Sequence, residues 1–296
     1  MSKNGLPRKP LTKRRLKNLI LNVLKNPFNM VVLVSLVILF CLIIIPLLTM
    51  IANTFTLAQG ELRRVQGHVG DFTLYYWKYI LASTLSGAVL WGPLKNSFIC
   101  GFFTVLVSVP LGSVLAWLMI RTDIPGKKIL GLLVTVPYMI PSWTKALAWL
   151  AMFRNSTSGA DGFLAGMGIP IPDWLAYGPI AIVLCMSMHY YAFSYIMVSG
   201  ALRSINSELE EMGEIQGASK AQILRHITLP LILPSVLSAT VMTISKSIGT
   251  YGVPANLGNR IGYYTLATKM RNFIDQGPQA VGYAMSIVLV LLAIAV

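Results

Sequence analysis

Charged residues are scarce in this chain: they make up 11% of its 296 residues against 55% apolar ones, and only 10 are acidic. A soluble domain carries roughly 25% charged residues, so the composition excludes an ordinary soluble fold. It points instead to an all-α polytopic membrane protein with room for about six transmembrane helices. Cysteine is nearly absent as well. Cys41, Cys100 and Cys185 each sit inside an apolar run, where a thiol acts as a small hydrophobe, so neither a disulfide framework nor a metal-ligand spacing is available. The phosphate-cradling loop Gly-x-x-x-x-Gly-Lys-Ser/Thr is missing, which excludes nucleotide hydrolysis by that chemistry within this chain. Paired carboxylates and a nucleophile constellation are missing too, so no enzyme active site and no cofactor are expected.

What is abundant is positive charge at one end. The net charge is +14, and Lys3, Arg8, Lys9, Lys13, Arg14, Arg15, Lys17 and Lys25 all precede the first acid, Glu61. A basic arm beside a membrane span marks the cytoplasmic side of a plasma membrane and meets anionic lipid headgroups. Its cations are not interleaved with aromatics, so nucleic acid is not an expected partner. The run Met30 to Ile51 follows the arm without a small-x-small cleavage pattern and reads as a retained anchor. At about 1.5 Å per residue it is long enough to cross a bilayer core of about 30 Å.

From there the spans alternate. Residues 53 to 94 are expected outside, with Tyr75-Tyr76-Trp77-Lys78-Tyr79 forming either an interfacial helix or a contact for another protein. A second span runs from about Asn96 to Ile120 into a basic turn at Lys127 and Lys128. A third, about Ile129 to Phe153, carries Pro137 and Pro141, which read either as a helix broken against neighbours or a water-lined path, or as kinks without function. Residues 154 to 178 form an outer loop, and a fourth span from about Pro179 to Leu202 returns the chain to the cytoplasm. A fifth runs from about Leu231 to Thr250. The last apolar run, Val281 to Val296, covers only about 24 Å, so the chain is expected to be cut in its last helix.

Between the fourth and fifth spans lies a polar interruption, residues 207 to 230. Ser207 with Glu210 and Ser219 with Gln222 are two capping-box spacings, and Gly217 between them suits the left-handed residue that closes a helix. Pro230 is expected to end the second helix, because proline disfavours helical geometry at Leu229. The order Glu211-Met-Gly213, then Gly217, then Ile227-Thr-Leu-Pro230 resembles the Glu-Ala-Ala loop of the membrane subunits of binding-protein-dependent ABC importers, with Met212 and Gly213 in place of the two alanines. Asn96-Ser97, Leu111-Gly112, Ala116-Trp117 and Arg121-Thr-Asp-Ile-Pro-Gly126 resemble the first core helix and following turn of that family. Tyr251-Gly-Val-Pro-Ala-Asn-Leu-Gly258 resembles its ferric iron, polyamine and phosphonate branch.

The resemblance implies a permease core over residues 95–296, preceded by an arm at 1–28 and an added helix and outer segment at 29–94. It implies that Glu211, Gly217, Ile227, Leu229 and Pro230 shape a cytoplasmic helix pair that docks on a separate ABC ATPase subunit. A substrate-binding protein outside and a second permease unit, identical, separate or fused, are the further partners implied. Two other classes stay open on the residues alone: an ion-driven secondary transporter, which the absence of acids from the spans disfavours, and a non-transporting scaffold.

Lys145 and Lys246 stand inside spans where hydropathy alone places no charge. Each lies about 22 to 24 Å up from the cytoplasmic end of its helix, without an acidic partner in the spans. Either they snorkel to the outer headgroups, or they line a path for an anionic solute such as a phosphonate, a phosphorylated compound or a ferric chelate, with His189 and Tyr190 nearby. His189 also admits a plain packing role.

Overall fold

A backbone in lipid must satisfy its N–H and C=O groups within its own segment, so apolar runs of this length fold as helices. The computed structural model describes residues 27–61, 65, 67–156, 159–206 and 208–296. The basic arm and the Ser207 cap lie outside these residues. Among the described residues the one extended pairing is an antiparallel bridge between Thr56 and Phe72. Four stretches of the described residues are helical, long and apolar enough to cross a membrane: Pro27–Asn53, Gly87–Arg121, Asp173–Ser204 and Lys220–Gly249.

The chain divides into two units, Met1–Asn53 and Thr54–Val296. In the first, α1 (Pro27–Asn53) is a single 27-residue helix with Pro46 inside it. The second begins with the bridged loop and α2 (Tyr75–Ala82), and continues through α3 (Gly92–Arg121), α4 (Lys127–Met139), α5 (Ser142–Phe153) and α6 (Pro179–Ser204). It ends with α7 (Glu208–Ile215), α8 (Lys220–Ile223), α9 (Leu229–Gly249), α10 (Gly252–Gly258), α11 (Leu266–Gln276) and α12 (Gln279–Ala295).

The scaffold of this unit is the α3–α6 pair. In lipid no water drives helices together, so contact depends on small residues that let backbones approach. Ser97, Gly101, Thr104, Ser108, Gly112 and Ala116 form that stripe on α3 and are buried. Gly112 is its tightest point: a Cβ there would stand 2.4 Å from the Tyr191 carbonyl oxygen and 2.8 Å from the Tyr195 nitrogen. Both obstacles are backbone, so Gly112→Ala is expected to push α3 off α6 at a cost of about 3 kcal/mol. A lowered thermal transition of the detergent-purified chain checks it.

Two sequence expectations are refined. The third span is two half-helices, α4 and α5, separated at Ile140 and Pro141, whose ψ angles of 130° and 141° are extended. The proline ring excludes helical geometry at Ile140, so of the two readings of these prolines the structure has the broken helix. Pro230, in contrast, does not end its helix. A π turn at Leu224–Thr228, closed by Leu229 N–H to the Leu224 carbonyl, joins α8 to α9 as one helix, Lys220–Gly249. The wider turn just before the proline relieves the clash of its ring with the carbonyl four residues back.

The aromatic segment is a helix, but not one resting alone on a surface. Tyr76 and Ile80 of α2 are buried with Leu266 of α11 and Val281, Ala284 and Met285 of α12. The Tyr76 hydroxyl accepts from Ala58 N–H at 3.0 Å, which ties the bridged loop to α2.

Candidate functional site

Two groups of polar residues stand out against the apolar frame, one at each end of α9. The first is the interruption between α6 and α9. Gly217 takes φ +83°, and closing bonds run from Gly217 N–H to the Glu214 carbonyl at 2.9 Å and from Ala218 N–H to the Gly213 carbonyl at 3.0 Å. Ser219 then caps α8 in a complete box with Gln222. The two helices therefore fold back on each other, and a Cβ on Gly213 would stand only 3.2 Å from both Ile223 and Ile227. That contact accounts for glycine where the resembled loop has alanine.

A single carboxylate fixes this helix pair to the frame. Glu210 of α7 meets Arg121 Nε, at the last residue of α3, at 3.0 and 3.2 Å, and accepts from the Thr228 hydroxyl at 2.7 Å. The Arg121 and Glu210 side chains are 15% and 18% exposed, which is buried enough for the pair to exceed the weak value of a surface ion pair. Its neighbour Glu211 points outward without a partner among the described residues, beside Met212 and Ile215, which are 56% and 86% exposed. An outward carboxylate among exposed apolar side chains makes a surface that suits a partner protein.

At Gly217 a Cβ would meet open space, so only the backbone angle requires glycine. A β-branched residue at positive φ costs about 1–2 kcal/mol. Gly217→Val is therefore expected to speed hydrogen exchange of residues 208–228 about tenfold while the melting of the membrane helices is unchanged.

The second group lies where the half-helices meet. Pro141 has no N–H to give the Pro137 carbonyl one turn back. Lys145 Nζ takes that role, donating to Pro137 O and also to His189 Nδ1. Lys246 of α9 donates to the Tyr138 hydroxyl at 3.1 Å and stands 4.3 Å from the Phe193 ring centroid. Tyr138 stacks on His189 at 5.3 Å and contacts Phe193 at 5.7 Å. Thus two ammonium groups flank one aromatic stack, and neither meets a carboxylate among the described residues. A cavity of about 420 Å³ beside it is lined by Pro137, Lys145, Trp149, Cys185 and Tyr191.

Lys145, His189 and Lys246 come together, and Tyr190 borders them, its ring meeting the His189 ring edge-on at 5.0 Å. Its hydroxyl bonds Thr250 Oγ1 at 2.8 Å and its ring packs in the core with Val253 and Leu257. At the other end Gly217 and Ile227 shape the corner, Glu211 faces out, and Leu229 and Pro230 are exposed on the helix leaving it. No site role was expected from the sequence for Arg121, Glu210, Thr228, Tyr138 or Phe193. Phe193 had a usable signal, since it follows His189 by one helical turn. Among the described residues no three His, Cys, Asp or Glu side chains gather as a metal site.

Residues 108–296 match the family model described as binding-protein-dependent transport system inner membrane component. A probable sulfate transport system permease protein of Marchantia polymorpha is 27% identical over 180 residues, 60% of this chain and 59% of that relative, so the chain spans well under two thirds of its length. A putative 2-aminoethylphosphonate transport system permease protein of Salmonella typhimurium is 28% identical over 74% of this chain and 75% of its own. A bacterial ABC transporter involved in import of the acidic polysaccharide alginate shares the fold, with TM-score 0.69 at 18% identity over 94% of this chain and 95% of that one.

Proposed function

The chain belongs to the family of binding-protein-dependent transport system inner membrane components, and from that premise we propose that this multi-pass membrane protein is the permease subunit of an ATP-driven importer of an anionic solute. ATP hydrolysis falls to a separate ABC ATPase that docks on α7 and α8, and a binding protein delivers solute from outside to a pair of permease units. The observation that carries the proposal is the folded-back helix pair, clamped to α3 by Glu210 and presenting Glu211, Met212 and Ile215 outward. Such a pair can pass a partner's movement to the membrane helices.

The anionic solute is supported by the two carboxylate-free lysines around His189, which repel a polycation, and by relatives named for sulfate, 2-aminoethylphosphonate and molybdenum transport. The test is reconstitution of the chain with its ATPase and binding protein in proteoliposomes. ATP-dependent uptake of sulfate, molybdate or 2-aminoethylphosphonate is expected; uptake driven by an ion gradient without ATP, or of a cation such as spermidine, overturns the reading.

The basic arm supports a cytoplasmic N-terminus, which also puts α7 and α8 within reach of the ATPase. Changing Arg8, Lys9, Arg14, Arg15 and Lys17 to Glu is expected to lower the fraction of chains with a cytoplasmic N-terminus, read by N-terminal reporter fusions. An unchanged fraction assigns orientation to Lys127 and Lys128 instead.

A further inference from the structure

At the end of the larger unit that carries α7, three helices stop or start together: α3 ends at Arg121, α4 starts at Lys127 and α6 ends at Ser204. They enclose a cavity of about 790 Å³, distinct from the one beside Lys145. Lys127, Lys128 and Arg203 line it, and Met119 and Ile196 give it an apolar wall. Ser199 lines it too; it is 5% exposed, and its hydroxyl has no hydrogen-bond partner among the described residues.

The charge here is uncompensated in two ways. No carboxylate comes within ion-pair distance of the three cations among the described residues. The two lysines also stand in the first turn of α4, which has no acidic residue and whose Gly126 provides no side-chain cap. A helix start carries partial positive charge and free N–H groups, so lysines there oppose the helix dipole. Cations that destabilise an unfilled site are explained by an anion that fills it.

We propose that this cavity is a binding site for a phosphate-bearing group, the source being the headgroup of an anionic phospholipid or a free phosphate. The combination of cationic rim and apolar wall at the ends of membrane helices favours the lipid, whose headgroup meets Lys127, Lys128 and Arg203 while its glycerol and upper acyl chain cover Met119 and Ile196. The site adds to the proposed transport function and does not depend on which solute is carried.

The experiment uses the full chain in two arms. In the first, native mass spectrometry counts lipids retained from nanodiscs of phosphatidylglycerol mixed with phosphatidylcholine. Selective retention of phosphatidylglycerol is expected, falling at least fivefold in Arg203→Gln and measurably in Ser199→Ala, a change that leaves every charge and the membrane orientation in place. In the second, delipidated chain in neutral detergent is melted with inorganic phosphate or with chloride at equal ionic strength. Retention of phosphatidylglycerol without phosphate stabilisation identifies a lipid site, and phosphate stabilisation lost in Arg203→Gln without lipid retention identifies a soluble anion. Lys145→Met is expected to leave the selective retention of phosphatidylglycerol unchanged, which separates this site from the proposed solute path. No selectivity in either arm, or selectivity that Arg203→Gln and Ser199→Ala leave intact, overturns the proposal.

Discussion

Uptake of the anionic solute is expected to fall at least tenfold in Lys246→Met and further in Lys145→Met, with co-purification of the ATPase unchanged. The magnitude follows from the chemistry. A hydrogen bond from a charged donor contributes about 1.5–3 kcal/mol, and about 1.4 kcal/mol is a factor of ten. The two variants differ because the lysines differ in their surroundings. Lys246 is exposed and among the described residues hydrogen-bonds the Tyr138 hydroxyl alone, so its loss removes charge from the proposed path without leaving a buried acceptor bare. Lys145 is half-buried and also closes the helix break, so its loss strips the Pro137 carbonyl and His189 Nδ1 of their donor. Lys145→Arg restores a donor and a charge, and partial recovery of uptake separates the two roles. Full uptake in both Met variants sinks the assignment of these lysines to the path.

The second large effect is expected at the clamp. Glu210→Gln and Arg121→Gln each leave a partner buried without its counter-charge, which costs about 3–5 kcal/mol for a fully buried pair and somewhat less at the exposure seen here. Because Glu210 joins α3, α7 and the turn at the base of α9, the loss is expected to appear in coupling. Solute-stimulated ATP hydrolysis falls about tenfold or more, while insertion and expression persist. The Arg121→Glu, Glu210→Arg double variant tests whether the pair itself matters. A coupling energy of about 1 kcal/mol or more in the double-mutant cycle supports a direct interaction, and strictly additive losses refute it.

The fold was legible where hydropathy and proline speak locally. Runs such as Met30 to Ile51 fixed the existence of the spans, and Pro141 marked the break because its effect falls on the adjacent residue. Pro230 misled because its effect depends on the turn before it, and a π turn at Leu224–Thr228 follows from no local signal. The corner at Gly217 was readable from spacing, and its observed φ of +83° is the reason glycine stands there. The clamp was not readable. Arg121 and Glu210 lie 89 positions apart, and only the packing of α3 on α6 brings them together. Depth along separate helices brought Lys145 and Lys246 into one region, yet Tyr138, which links Lys246 to His189, depends on how α4 rotates. Adjacency placed Tyr190 beside His189, and the rings do meet edge-on at 5.0 Å, but the Tyr190 hydroxyl turns away to Thr250 because neighbours on a helix project about 100° apart.

The unbroken passage from α8 into α9 makes that helix a lever. From Lys220 to Lys246 it measures about 39 Å at 1.5 Å per residue, so a tilt of about 10° about either end swings the other by about 7 Å. Lys246 holds Tyr138 across 3.1 Å, a reach that such a swing exceeds. A partner moving the corner at Gly217 therefore acts on the same continuous helix that carries Lys246, with the π turn at Leu224–Thr228 and Pro234 as the points where that lever can flex.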